Sequence, residues 1–99
     1  MALTVLLDLR LKPEAVLGAE AMLRDILAGT RAFEGCLGVD VLLDCDDPAH
    51  MILLERWASA DADAAYRHWR AGAGAGATDL GSLLTSIPQI SMFEIASDI

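Results

Sequence analysis

From Leu3 to Leu11 the chain alternates with a period of two. Leu3, Val5, Leu7, Leu9 and Leu11 point one way, and Thr4, Leu6, Asp8 and Arg10 the other. That period predicts a strand with one core face. At Lys12-Pro13-Glu14 the period changes. Proline is tolerated in the first turn of a helix and Glu14 suits its positive end. Val16, Ala19, Leu23, Ile26, Leu27 and Thr30 then recur at helical spacing on one side. Glu20 and Arg24 make an i,i+4 surface pair, and Arg31 suits the negative end of the helix. Gly35 permits a turn into a second strand, where Leu37, Val39, Val41 and Leu43 alternate with Gly38 and Asp40. Asp46-Asp47-Pro48 is turn chemistry. The third strand, His50 to Trp57, reads HMILLERW and is apolar on both sides through its middle. A strand buried on both faces gives that pattern: one face meets helices, and the other calls for a second subunit.

Ser59 is placed to cap a second helix from about Ala60 to Arg70, with Asp61 and Asp63 in its first turns. The run from Gly72 to Ala77 breaks it and reads as a lid or connector. A short helix holding Leu80, Leu83 and Leu84 starts at Thr78 or Asp79 and stops at Pro88, and Gln89 to Ala96 gives a last strand. The order β-α-β-β-α-(α)-β is the ferredoxin-like split βαβ arrangement, an α+β fold with an antiparallel sheet. Its 99 residues make one domain, 1–99.

Composition sharpens the second-subunit expectation. Hydrophobic residues make up 55% of the chain and mean hydropathy is +0.43. A small monomer could hardly hide that much apolar surface, so a homo-oligomer that buries one face of each subunit is expected. A membrane span is not, because Asp8, Arg10, Asp40, Asp44 and Glu55 interrupt every apolar run well short of the roughly 20 residues required. Fifteen acids against seven bases give a net charge of −8, which opposes binding to a phosphate backbone and argues against nucleic acid. The start, MALTVLLDLRLKPE, has no basic n-region and no small-residue cleavage site, so a cytoplasmic location is expected. Cys36 and Cys45, about 30 Å apart if both lie on one strand, cannot bridge there and read as buried thiols. No Cys/His cluster has metal-ligand spacing, and the GAGAGA run lacks the Lys-Ser/Thr of a phosphate loop.

Thr30-Arg31, Glu34-Gly35-Cys36-Leu37, the Asp47-Pro48 turn and Glu55-Arg56-Trp57, taken with the order of elements, resemble the antibiotic biosynthesis monooxygenase (ABM) family from about Leu3 to Ile95. The resemblance implies ferredoxin-like subunits that dimerise through their sheets into an α+β barrel. It implies either a cofactor-independent monooxygenase acting on an aromatic or quinol-like small molecule, or a non-catalytic dimeric module binding a small apolar or aromatic ligand. The chain also departs from the family. Tyr66 stands where members often have His. The Gly72–Ala77 region holds no His to serve as a haem ligand, and the sequence contains no Asn. A haem-degrading role is therefore not expected, and no cofactor is.

In the resemblance Trp57 sits at the pocket between sheet and helices; the alternative is a core Trp closing the hairpin. Tyr66, Trp69 and Arg70 share one side of the second helix. With Trp57 they would form an aromatic slot with one cation for a planar, anionic or phenolic ligand, unless they simply pack the core. Glu55, an acid in an apolar run, must be paired, protonated or functional if buried. Arg10 and Arg56 are its candidate partners, and proton abstraction from a phenol its candidate role. His68, about 200° from Tyr66 round the helix, is the other candidate base. His50 opens a strand and reads as a surface residue.

Overall fold

The computed structural model describes residues 2–72, 74 and 80–99. Four strands and two helices follow in the order β1 (Leu3–Arg10), α1 (Val16–Ala32), β2 (Cys36–Leu43), β3 (His50–Trp57), α2 (Ala60–Ala71) and β4 (Gln89–Phe93). The sheet is antiparallel with the order β2-β3-β1-β4. β1 and β2, which α1 connects, leave a gap in the sheet that β3 fills, which is the split βαβ topology of the ferredoxin-like fold. β4 ends at Phe93, short of Ala96. The expected short helix is a 3-10 turn over Leu80–Leu83, and Leu84 bridges to Leu11. Residues 73 and 75–79, which the sequence assigns to the Gly-Ala connector and the start of that helix, lie outside the described residues.

The inner face of the sheet and the apolar stripe of α1 close on each other. Leu9, Leu11, Ala19, Leu23, Leu27, Val39, Met51 and Leu53 form one buried cluster. Leu3, Val5, Trp57 and Tyr66 form a second under α2. The spacing of α1 decides which of its residues go inward: Ala19, Leu23, Ile26, Leu27 and Thr30 are buried, while Leu17, off the stripe, is 94% exposed. Ser59 caps α2 as expected, its Oγ accepting from the Ala62 N–H at 3.1 Å.

β2 departs from simple alternation. Cys36 faces Trp57 and Gly38 faces Arg56, so Leu37 is the extra residue of a β-bulge. The bulge turns Cys36 and Val39 inward and leaves Leu37 59% exposed, where strict alternation puts Leu37 in the core. Gly38 carries the unusual backbone of the bulge, with φ 156°. β2 also stops at Leu43, so Cys45 is in the turn and exposed rather than a buried strand thiol; both cysteines are free.

The opposite face of the sheet is left open. By register it carries Thr4, Leu6, Asp8, Asp40, Leu42, Ile52, Leu54, Arg56 and Phe93, and Leu42 and Phe93 are 44% and 51% exposed. Among the described residues nothing packs over it. No helix there is long and apolar enough to cross a membrane.

Candidate functional site

The chain has two Phe, two Trp and one Tyr, and all but Phe93 meet at one end of the sheet. Strand parity points Trp57 inward, and α2 brings Tyr66 against it at 4.9 Å between ring centroids. Phe33, the residue that ends α1, stands edge-on to both, 6.3 Å from Trp57 and 5.4 Å from Tyr66, and touches Trp69 at 5.4 Å. Trp57, Tyr66, Trp69 and Arg70 thus converge as their helical and strand spacing predicts. The space between them is filled: Trp57 is 0% exposed and Tyr66 3%. Phe33, which the sequence reading did not single out, is the ring that fills it.

The Tyr66 hydroxyl and the Trp57 indole N–H are engaged as well. Arg70 can only donate, and its Nε–H reaches the Tyr66 hydroxyl at 2.7 Å. The Tyr66 O–H is then directed at Thr30 Oγ1, 2.6 Å away, and Thr30 passes its own hydrogen to the Ile26 carbonyl. Arg70 Nη2 also donates to that carbonyl, at 2.7 Å. The chain Arg70→Tyr66→Thr30→Ile26 ties α2 to the last turns of α1. It sets the positive guanidinium near the negative end of the α1 dipole and over the Trp69 ring at 4.7 Å.

Glu55 is 2% exposed, on the inner face of β3. Its Oε1 accepts from Trp57 Nε1 at 3.0 Å and from Arg67 Nη2 at 2.5 Å. Arg67 in turn donates through Nε to buried Asp63 at 3.1 Å. The partner of Glu55 is therefore Arg67, not Arg10 or Arg56. Arg10 and Arg56 pair instead with Asp8 and Asp40. His68 is exposed, on the far side of α2.

Open space lies elsewhere. A cavity of about 540 Å³ runs between α1 and the β2–β3 hairpin. Leu23, Leu27, Val41 and Met51 line its apolar floor; Glu20, Arg24, Arg31 and Asp44 bring charge to its rim. The sites have different causes. Under α2 the bulky rings fill the gap between helix and sheet. Under α1 the aliphatics are packed too, and the cavity lies beside them, where the edge strand β2 leaves the side open. The rim charges are not alike. Arg24 is paired with Glu20 at 2.5 Å. Asp44 Oδ2 is 2.7 Å from His50 Nδ1, and His50 Nε2 is 3.0 Å from Asp8 Oδ1. Hydrogen bonding to Asp44, and then to Asp8, raises the His50 pKa, and hydrogen bonding to His50 lowers that of Asp44. With a carboxylate on each ring nitrogen, His50 is a clamp between β1 and the hairpin turn. A base would need a free lone pair, and this ring has none to offer when protonated. Among the described residues, no group of three or more His, Cys, Asp or Glu could hold a metal ion.

The family pattern described as antibiotic biosynthesis monooxygenase matches residues 2–78. The chain belongs to the ABM family. Solved structures agree with it in fold. Rv0793 from Mycobacterium tuberculosis is 24% identical over 96% of this chain and 95% of its own, with a TM-score of 0.80. A crystal structure named antibiotic biosynthesis monooxygenase is 22% identical over 95% and 98%, also at 0.80. PA3566 from Pseudomonas aeruginosa is 25% identical over 96% and 95%, at 0.75. No curated protein matches the chain. In this ABM domain, then, the aromatic set at Trp57 is a packed joint, and the cavity lies along the side of α1 that faces the β2–β3 hairpin.

Proposed function

We propose that this ABM domain works as a homodimer closed through its open sheet face, and that each subunit takes a small aromatic or quinol-like molecule into the cavity between α1 and the β2–β3 hairpin. The observation that carries the reading is the cavity itself. Its volume of about 540 Å³ is of the size that holds a small ligand, with an apolar floor and few polar groups at the rim. The chemistry that family membership puts first is a cofactor-independent oxygenation. A phenolic anion reduces O₂ directly, and for an anthrone the ring methylene becomes a carbonyl while one oxygen atom leaves as water.

A second reading, binding without chemistry, has its own support. Glu55 is closed in by Arg67 and Trp57, and His68 faces solvent, so neither of the candidate bases meets the cavity. Oxygen uptake with a panel of anthrones and quinols separates the two. Turnover lost in a cavity-filling Val41→Trp variant supports the oxygenase; saturable binding with no uptake supports the binding module. Binding of none of the panel, or binding indifferent to V41W, would remove both.

A further inference from the structure

We infer that the ligand of this cavity is an arene carrying a single anionic oxygen group, a carboxylate or phenolate, and that Arg31 is the residue that selects it. The inference rests on the cavity reading above and goes further by naming the charge of the ligand and where that charge sits. Among the described residues the cavity has two arginines, and they differ in what they are free to do. Arg24 already has the Glu20 carboxylate at 2.5 Å. Arg31 has no carboxylate partner among the described residues. Its Nη2 donates to a neutral acceptor, the Val39 carbonyl, at 2.9 Å. A guanidinium has five N–H donors in a rigid fork. One is used to fix the side chain across the α1–β2 gap, and the others remain to meet an oxyanion.

The position of Arg31 also sets the direction of the ligand. Arg31 is in the last turn of α1, and Arg70 already lies close by on the Ile26 carbonyl. The helix end is thus served by a second cation, and Arg31 can be turned to the cavity. The acids on the rim, Glu20 and Asp44, lie towards the other end of α1, with Glu20 about 16 Å along the axis at 1.5 Å per residue. An oxyanion fits at the Arg31 end and a second one would face Asp44, so the cavity favours a monoanion. Val16, Val41 and Leu43 offer the ring accessible apolar surface between the two ends, over the buried Leu23, Leu27 and Met51. The chain as a whole carries −8, which repels anions at long range. A preference for an anion must therefore come from a local group, and that makes the test clean.

The test uses two fluorescent arenes of one skeleton, neutral N-phenyl-1-naphthylamine and its sulfonate, 1-anilinonaphthalene-8-sulfonate. In Arg31→Met the sulfonate should bind about tenfold more weakly, at the low end for a charged hydrogen bond because the guanidinium reaches solvent, while the neutral dye stays within about twofold. V41W should weaken both dyes. If V41W weakens both but R31M leaves the sulfonate unchanged, the role of Arg31 is overturned and the cavity reading stands. If V41W weakens neither, the cavity reading falls and this inference with it. A wild-type measurement needs no variant: 1-naphthoate should displace the bound neutral dye at several-fold lower concentration than methyl 1-naphthoate. An ester that competes equally well or better overturns the assignment.

Discussion

Replacing Glu55 by Gln tests whether the buried acid is a structural anchor of the ABM fold. The carboxylate holds two donors on one oxygen, the Trp57 indole N–H and the Arg67 guanidinium. In E55Q the amide oxygen can still accept from Trp57, but the charge that Arg67 answers is gone. Breaking a fully buried ion pair costs about 3–5 kcal/mol. That figure is too large here, because the Arg67 side chain is 28% exposed and keeps its bond to Asp63. The loss is closer to that of one charge-assisted hydrogen bond, about 2 kcal/mol. For a domain of this size that lowers Tm by roughly 8–16 °C. The assay is thermal and urea unfolding at one fixed protomer concentration, since assembly itself moves Tm. Arg67→Met and the double variant complete a cycle whose coupling should be about 1–2 kcal/mol. E55Q unfolding within about 0.5 kcal/mol of wild type would refute the anchor. So would an E55Q protein of unchanged stability that has lost oxygen uptake, because Glu55 would then be the base.

Tyr66→Phe leaves Arg70 and Thr30 without their shared hydroxyl in a buried joint and should cost about 1–3 kcal/mol in urea unfolding, with arene binding in the α1 cavity unchanged. Gly35→Ala should destabilise by about 2 kcal/mol or more: its φ is +91°, and a Cβ there would lie 2.5 Å from the Ala62 Cβ. Because the folded pKa of His50 is raised above its ordinary 6.5, its clamp stabilises fully below about pH 6.5 and is lost as pH climbs through the raised value. Asp44, lowered from 3.8, contributes above that value and is lost as acid takes pH through the lowered one. Tm should therefore plateau between about pH 4 and 6.5 and decline on the alkaline side, and His50→Gln should flatten that decline. Leu54→Lys on the open sheet face should give a monomer by sedimentation at micromolar concentration; an unaltered dimer would mean that another surface closes the pair.

What could be read in advance was whatever repeats. The period of two in β1, the helical stripe of α1, the Ser59 cap and the acidic turn before β3 each specify themselves within a few residues, and together they leave one topology. What could not be read depends on a single residue or on distance between elements. The Leu37 bulge shifts register by one position and so reverses which of its neighbours face inward; only the glycine after it hints at that. The sequence spacing that brought Trp57, Tyr66, Trp69 and Arg70 together was sound, but convergence does not say whether a group of rings surrounds a space or fills it. Phe33 decides that, because the end of α1 delivers a fourth ring to the same point. Sequence adjacency along the sheet points Glu55 to Arg10 and Arg56, and gives no sign of Arg67. The answer came from α2, where Arg67 lies one turn past Asp63 and can bridge both acids. His50, at a strand start, reads as a surface residue, yet Asp44 stands across the same turn and Asp8 lies diagonally on the paired strand. Both signals are pairs of opposite charges brought together by packing: the Arg67 pair by how α2 lies on β3, the Asp8–His50 pair by the β1–β3 register. The cavity is likewise a matter of distance between elements: α1 closes on the sheet through Leu23, Leu27 and Met51, and the room for a guest lies beside that packed core, where Val16, Val41 and the exposed Leu43 edge the hairpin.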